Sequence, residues 1–82
     1  MSRINKKYLL IVGAGIELIE FYLEAKKMGL NIVGIDKNPN APAFKYADKK
    51  IISSTRNVEQ ALKKIVEFSN KNEIIGVTTS SH

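Results

Sequence analysis

The sequence contains no cysteine and no tryptophan, only two prolines, and a single histidine, which is the last of its 82 residues. Without cysteine the chain can have neither a disulfide framework nor a thiolate metal site, and a reducing, cytoplasmic location is expected. His82 has no serine, cysteine or acid in a fixed relation to it, so catalytic-triad chemistry is not predicted. No apolar run approaches the roughly 18 residues of a membrane span, and residues 8–12 are too few for a signal segment.

The charge of the chain is spread along it rather than concentrated. Thirteen lysines and arginines against eight acids give a formal charge of +5, but only Arg3 and Arg56 are arginines. Nucleic-acid-binding proteins usually cluster such charge and interleave aromatic residues, so this composition does not favour nucleic-acid binding. The 44% of hydrophobic residues excludes an intrinsically disordered chain. The length allows one small domain, in which a complete enzyme with its own substrate cleft would be cramped.

The first half of the sequence predicts a strand, a helix and a second strand. Residues 8–12 form an apolar run without alternation, which is typical of a parallel strand buried on both faces. From Ile16 onward, apolar residues recur at three- and four-residue steps, and this pattern predicts a helix that ends at Gly29. Residues 31–36 are the second predicted strand. The recurring apolar residues of the helix are Ile16, Ile19 and Leu23, and Leu18, Tyr22 and Ala25.

The second half predicts a loop, a strand, a helix and a last strand. Two prolines prevent residues 38–42 from forming a helix or a central strand. Residues 50–53 are the third predicted strand, and Asn57 with Gln60 has the spacing of a helix N-terminal cap. Residues 73–79 are the fourth strand. The predicted buried row of the second helix is Val58, Ala61, Leu62, Ile65 and Phe68.

The order of these elements predicts an α/β fold. Strands that alternate with helices favour a small, open, parallel sheet of about four strands, equivalent to half of a Rossmann-like domain. Residues 1–82 are expected to form a single domain. A doubly wound sheet normally continues with a covering helix after its fourth strand, so we expect this domain to be truncated there.

A glycine loop, Gly13-Ala14-Gly15, joins the first strand to the first helix. Glycines allow a sharp turn and a close approach to a ligand, and the free N–H groups at a helix N-terminus favour an anion. The alternative is a tight turn that needs glycine only for its backbone conformation. In open α/β sheets ligands bind beyond the carboxyl ends of the strands, which favours the binding interpretation.

The loop matches a dinucleotide-binding fingerprint only in part. The fingerprint requires a third glycine where this sequence has Leu18, although Asp36 lies about 20 residues further on, where a ribose-binding acid would lie. Asp36 is equally well explained as a solvated residue or a turn former. Glu17 would stabilise the first helical turn, and it would also repel a bare pyrophosphate. If the loop binds a ligand, Glu17 therefore favours an amine or hydroxyl nearby.

Four segments carry a family resemblance. They are the first strand and glycine loop (residues 9–15) with the helix to Met28-Gly29, the second strand ending in Asp36, the Asn-Pro-Asn-Ala-Pro segment at 38–42 with Ala-Asp-Lys at 47–49, and residues 75–79. With these segments the chain resembles the N-terminal domain of ATP-grasp enzymes, also called the pre-ATP-grasp or biotin-carboxylase N-terminal-like domain. The resemblance extends over about residues 8–82 and includes carbamoyl-phosphate-synthase-like enzymes.

The resemblance implies an open parallel sheet that contributes the substrate side of an active site. ATP and Mg²⁺ are expected in later domains of the full-length parent, an ATP-dependent ligase, and no cofactor, metal ligand or catalytic residue is expected in this chain, which alone should not catalyse ligation. The substrate is expected to be a small carboxylate-bearing or phosphorylated metabolite. The residues expected to face it are Gly13, Ala14, Gly15, Ile16, Glu17, Asp36, Lys37, Thr78, Thr79 and Ser80.

Two other functions remain open from the sequence. The chain could be a regulatory module that binds NAD or a related nucleotide through Gly13, Gly15 and Asp36, although Leu18 argues against it. It could also be a self-associating module without a ligand. Ile74, Ile75 and Val77 would then expose an edge and an apolar face of the fourth strand to a second copy.

Overall fold

The computed structural model describes residues 6–79, which form a four-stranded sheet with one helix on each face. Two short 3₁₀ turns, Ile16–Leu18 and Pro42–Tyr46, accompany the regular elements. In chain order these elements are β1 (Lys7–Val12), α1 (Ile19–Lys27), β2 (Asn31–Asp36), β3 (Lys49–Ile52), α2 (Val58–Ser69) and β4 (Glu73–Thr79). No helix within residues 6–79 has the length and apolar content needed to cross a bilayer.

The sheet is wholly parallel, with the strand order β3-β2-β1-β4, and this confirms the predicted α/β fold. Strands β2 and β4 have the predicted bounds, whereas β1 and β3 each begin one residue earlier and β3 ends before Ser53. The pairing of β1 with β4 contains an irregularity, because Tyr8 is opposite Ile74 but the next residue, Leu9, is opposite Gly76. Ile75 is therefore an extra residue in β4.

One face of the sheet packs against α1 and the Pro42–Tyr46 turn. Leu18, Tyr22 and Ala25 lie in this core, and Ile19 is partly buried beside them. Ile16 and Leu23, which belong to the same apolar pattern, are 73% and 40% exposed. Ile16 lies in the 3₁₀ turn before the helix, and α1 faces the sheet with the side that carries Tyr22 and Ala25.

The other face packs against α2. Tyr8, Leu10, Val33, Ile35 and Ile51 of the sheet form this core with Ala61 of the helix, and the ring of Phe68 meets the ring of Tyr8 edge-on at 5.1 Å. Ile65 and Phe68 are partly buried, as expected. The prediction was wrong for Val58 and Leu62, which are 62% and 55% exposed, because α2 turns only its Ala61 side towards the sheet.

The ends of the helices follow from local sequence. Gly29 has a φ of +81°, the left-handed conformation that ends α1, and the side chain of Asn57 accepts a hydrogen bond from the Gln60 N–H at 3.1 Å. The turn at Pro42–Tyr46 was not predicted. It buries Ala43 and Phe44, so the segment after β2 contributes to the core in addition to connecting two strands.

Asp48 ties the end of α1 to the start of β2. Its carboxylate accepts hydrogen bonds from Lys26 Nζ at 2.8 Å and from the Ile32 N–H at 2.7 Å. Partial burial acts to raise the pKa of this carboxyl, but the two hydrogen bonds and the positive charges of Lys26 and Lys6 hold the pKa below its usual range. The interaction therefore stabilises the fold fully above the unfolded-state pKa, and this stabilisation is lost as the pH falls through the folded-state pKa.

Asp48→Asn should consequently make the fold less sensitive to acid, because asparagine can still accept the Ile32 hydrogen bond but does not titrate. We expect the difference in free energy of unfolding between about pH 7 and about pH 3 to be smaller for the variant than for the wild type. Urea denaturation at both pH values measures it. Equal acid sensitivity of the two proteins would show that protonation of Asp48 does not contribute to the loss of stability in acid.

Candidate functional site

The glycine loop lies between β1 and the first 3₁₀ turn, at the carboxyl edge of the sheet. The loop begins at Gly13, whose φ of +98° is a conformation that other residues rarely adopt. The Gly13 N–H donates to the Ile35 carbonyl oxygen at 2.7 Å, and the Gly13 carbonyl oxygen accepts from the Tyr22 hydroxyl at 2.7 Å. Both backbone groups of Gly13 thus fix the position of the loop.

Ala14 is fully buried and is held from two sides. Its N–H donates to Asp36 Oδ2 at 2.9 Å, and its carbonyl oxygen accepts from the Ala43 N–H at 2.9 Å. The other carboxylate oxygen of Asp36 accepts from the Asn38 N–H at 3.0 Å. Asp36 therefore connects the loop after β1 to the loop after β2, a role that the sequence did not reveal.

Tyr22 of α1 holds the glycine loop, a role that the sequence did not indicate. Its side chain is fully buried on α1, and its hydroxyl reaches back nine residues to Gly13. Burial and the nearby Asp36 charge raise the pKa of Tyr22, so its hydroxyl remains a hydrogen-bond donor at physiological pH. A tyrosine on the buried row of a helix must find a partner for its hydroxyl, and this requirement is the signal that could have indicated the contact.

The outer part of the loop is open to solvent. Ile16 and Glu17 are exposed, and no described residue accepts a hydrogen bond from the N–H groups of Gly15, Ile16 or Glu17. The Glu17 carboxylate folds back over Gly15, with Oε1 2.7 Å from the position that a Cβ on Gly15 would occupy. Three amides without an acceptor among the described residues and one carboxylate are thus grouped in three consecutive residues.

The other predicted site residues are placed as follows. Lys37 is exposed and directly follows Asp36. Thr78 pairs with Ile11 of β1 and lies on the α1 face of the sheet, while Thr79 pairs with Val12 at the end of both strands. Ser80 lies outside the described residues, as do Ser81 and His82. The structure brings the ends of β1 and β4 side by side, which puts Thr78 on the same edge as the glycine loop.

The strand order makes this edge a topological switch point. The chain leaves β1 towards one face of the sheet through α1, and it arrives at β4 from the other face through α2. Crevices at such points are the usual ligand sites of open α/β sheets.

The dinucleotide interpretation meets an obstacle at Leu18. Leu18 is buried, and its Cδ1 lies 2.8 Å from where a Cβ on Gly13 would be, so a large side chain occupies the place of the third glycine. Each oxygen of Asp36 accepts one hydrogen bond from the backbone, which fixes the carboxylate beside the loop.

The exposed part of the loop combines hydrogen-bond donors with an acceptor. The amides of Gly15, Ile16 and Glu17 can donate to an anionic oxygen, and the Glu17 carboxylate can accept from an amine or a hydroxyl. Within residues 6–79, no group of three or more His, Cys, Asp or Glu side chains could hold a metal ion.

The model of the family described as PylC-like, N-terminal domain, matches residues 9–81. Among curated proteins, the formate-dependent phosphoribosylglycinamide formyltransferase of Prochlorococcus marinus subsp. pastoris is 38% identical over 63 residues, which cover 77% of this chain and 16% of that protein. The enzyme of the same name from Methanocella arvoryzae is 34% identical over 71 residues, covering 87% of this chain and 16% of that protein.

Solved structures of N5-carboxyaminoimidazole ribonucleotide synthetases are also similar. An ADP complex aligns with a TM-score of 0.70 and 28% identity over 96% of this chain and 19% of that one. The enzyme of Thermotoga maritima aligns with a TM-score of 0.56 and 34% identity over 71% of this chain and 17% of that one. The chain spans less than one fifth of the length of each of these four relatives. These matches confirm the resemblance noted in the sequence.

Proposed function

The chain belongs to the PylC-like N-terminal domain family, and from this premise we propose that it is the N-terminal substrate-binding domain of an ATP-grasp ligase. In this proposal residues 1–82 are one domain of a longer cytoplasmic polypeptide, and the domain does not catalyse ligation alone. The observation that carries the proposal is that three amides without a described acceptor lie beside the Glu17 carboxylate at the switch point of the sheet.

The same group of atoms supports a substrate class. A ligand with an anionic oxygen and a nearby amine or hydroxyl would satisfy the amides of Gly15, Ile16 and Glu17 together with the Glu17 carboxylate. The names of the relatives include a phosphoribosyl compound and a ribonucleotide, which are phosphorylated molecules. We therefore propose a small phosphorylated or carboxylate-bearing metabolite as the substrate, with Lys37 and Thr78 to Ser80 near it.

ATP and Mg²⁺ belong to other domains of the proposed polypeptide. One of the similar structures is an ADP complex, which supports ATP use by that enzyme. The role that we propose for this chain is to bind the substrate.

The first experiment is to sequence the source gene beyond codon 82. A reading frame that continues into domains with ATP and Mg²⁺ ligands would support the proposal, and a stop codon after His82 would refute the ligase function for this chain. With the full-length polypeptide in hand, ADP formation is then measured against a panel of phosphorylated and carboxylate-bearing metabolites.

Glu17→Ala should raise the KM for the metabolite that supports ADP formation by about 10-fold or more, because one charge-assisted hydrogen bond to the substrate is lost. The KM for ATP should stay unchanged. Glu20→Ala is the matched control, since Glu20 is an exposed acid on α1 one turn further from the loop, and it should leave both constants unaltered. Equal effects of the two substitutions on the KM for the metabolite would show that Glu17 does not bind it.

A further inference from the structure

A groove lies between β3 and the connection that precedes it. This connection, residues 37–48, leads from β2 to β3 on the α1 face of the sheet. Crossovers between parallel strands usually contain a helix, but the described residues of this one contain only the Pro42–Tyr46 turn. The outer side of β3 therefore stays open, and a groove of about 620 Å³ remains there, which we call the β3 groove. Its lining includes Pro39, Pro42, Phe44, Lys45 and Lys50.

Lys50 stands on the strand side of the β3 groove. It is paired with Gly34, and a Cβ on Gly34 would lie 3.1 Å from Phe44 Cε1, so this register position is on the α1 face. Ile11 and Ile32 lie on the same face of the sheet and are buried in its core. Lys50 is thus an exposed cation at a position where a covered parallel sheet would carry an apolar residue.

The ammonium group of Lys50 reaches across the groove to the connection. Its Nζ donates to the Pro39 carbonyl oxygen at 3.2 Å and lies 5.6 Å from the centroid of the Phe44 ring. Among residues 6–79, Pro39 is its only hydrogen-bond acceptor and no carboxylate forms an ion pair with it. Because an ammonium group has three N–H donors, Lys50 has donors left for a ligand.

The rest of the lining adds a second cation and apolar surface. Lys45 borders the groove and has no ion-pair partner in the part of the chain that the structure describes. Asp48 also borders it, but the carboxylate of Asp48 is already paired with Lys26 Nζ at 2.8 Å. The exposed ring of Pro42 lies beside Phe44 in the same lining. The groove is therefore positively charged and partly apolar.

We propose that the β3 groove is a binding site for a small anion that carries an apolar part, such as an aryl phosphate or an aryl carboxylate. The anionic oxygens accept hydrogen bonds from Lys50 and Lys45, and the apolar part lies over Pro42 and Phe44. Charge complementarity selects the anion, and the proline and phenylalanine rings favour a ligand larger than an inorganic ion.

The β3 groove is separate from the glycine loop. The Pro42–Tyr46 turn lies between them, because the Ala43 N–H donates to the Ala14 carbonyl oxygen of the loop at 2.9 Å, whereas the next residue, Phe44, borders the groove. Residues 13–17 do not belong to the lining of the groove. The inference thus goes beyond the proposed substrate site, and one titration can follow both places.

The test is an amide-resolved NMR titration of the 82-residue chain with phenyl phosphate, with sodium chloride at equal ionic strength as the reference. The amide signals of Lys45, Ala47 and Lys50 report on the groove, and those of Gly15 and Glu17 report on the glycine loop. We expect the groove signals to shift along a saturable curve. Inorganic phosphate should bind the groove about 5-fold more weakly, because it lacks the apolar part.

Lys50→Gln should weaken phenyl phosphate binding in the groove by about 10-fold, because a charge-assisted hydrogen bond is lost. Lys49→Gln is the matched control, since it removes the same charge from the neighbouring exposed residue of β3. Residue 49 also borders the groove, but its pairing with Val33 of the α2-face core places its side chain on the opposite face of the sheet. The control should leave the affinity nearly unchanged.

Three results would overturn the proposal. Groove signals that stay in place, or that shift equally with sodium chloride, would show that no anion site exists there. An equal loss of affinity in the two variants would show that binding reflects net charge alone. Equal affinities for phenyl phosphate and inorganic phosphate would refute the apolar contact. Shifts at Gly15 and Glu17 without shifts in the groove would refute the groove and leave the substrate-binding proposal intact.

Discussion

Tyr22→Ala is expected to lower the free energy of unfolding by about 3–5 kcal/mol, the usual cost of removing a fully buried aromatic side chain. Tyr22 fills the space above Gly34 of β2, and its hydroxyl holds the Gly13 carbonyl oxygen at 2.7 Å. A domain of 82 residues has only a small margin of stability, so a loss of this size should leave a large unfolded fraction at 25 °C. Urea denaturation followed by circular dichroism measures it.

Tyr22→Phe is the matched control, because it keeps the ring and removes only the hydroxyl. The Gly13 carbonyl oxygen then loses its partner, which should cost about 1–2 kcal/mol. If the phenylalanine variant is as unstable as the alanine variant, the hydroxyl outweighs the ring and the packing argument is wrong. If it is as stable as the wild type, the hydroxyl does not hold the loop.

Gly13→Ala is expected to lower the free energy of unfolding by about 2–4 kcal/mol, because two penalties add at this position. The φ of +98° is unfavourable for any residue with a Cβ, and the new methyl group would lie 2.8 Å from Leu18 Cδ1. Leu18 is buried against the core and has little space to retreat. The substitution should therefore disturb both the loop and the start of α1, and thermal unfolding measures the loss.

Gly29→Ala separates these two penalties. Gly29 also has a positive φ, +81°, but no atom lies within 4 Å of the place where its Cβ would be. We expect Gly29→Ala to lower the free energy of unfolding by about 1 kcal/mol, the penalty of the backbone conformation alone. A loss as large as that of Gly13→Ala would show that contact with Leu18 adds nothing.

The sequence was a good guide to the elements because each has a local signal. The uninterrupted apolar residues of β1 indicated a strand buried on both faces, and Gly29 and Asn57 marked helix ends through their backbone and capping preferences. The helix periodicity was a weaker guide. The periodicity placed Leu62 in the buried row of α2, but this side chain is exposed. Periodicity shows which residues share an apolar side of a helix, and it cannot show which part of that side packs against the sheet.

The inner structure of the candidate site depends on contacts that are distant in sequence. Asp36 reaches across 22 residues to the Ala14 N–H, and the turn that contains Ala43 and Phe44 closes over the same loop. No local pattern specifies such contacts, because each depends on where two separate loops meet. Spacing therefore suggested a ribose-binding role for Asp36, whereas the geometry gives it a backbone-holding role. The substrate-facing residues themselves stay a prediction.

The extra residue in β4 determines which side of the sheet each later side chain faces. Side chains alternate along a strand, and Ile74 lies on the α2 face beside the Tyr8 and Phe68 rings. Strict alternation from Ile74 would turn Thr78 to that face as well. Because Ile75 takes an additional position, Thr78 lies instead opposite Ile11, on the face from which the glycine loop is held. One extra residue in an edge strand thus decides whether the Thr78 hydroxyl lies on the face of the glycine loop or on the face of α2.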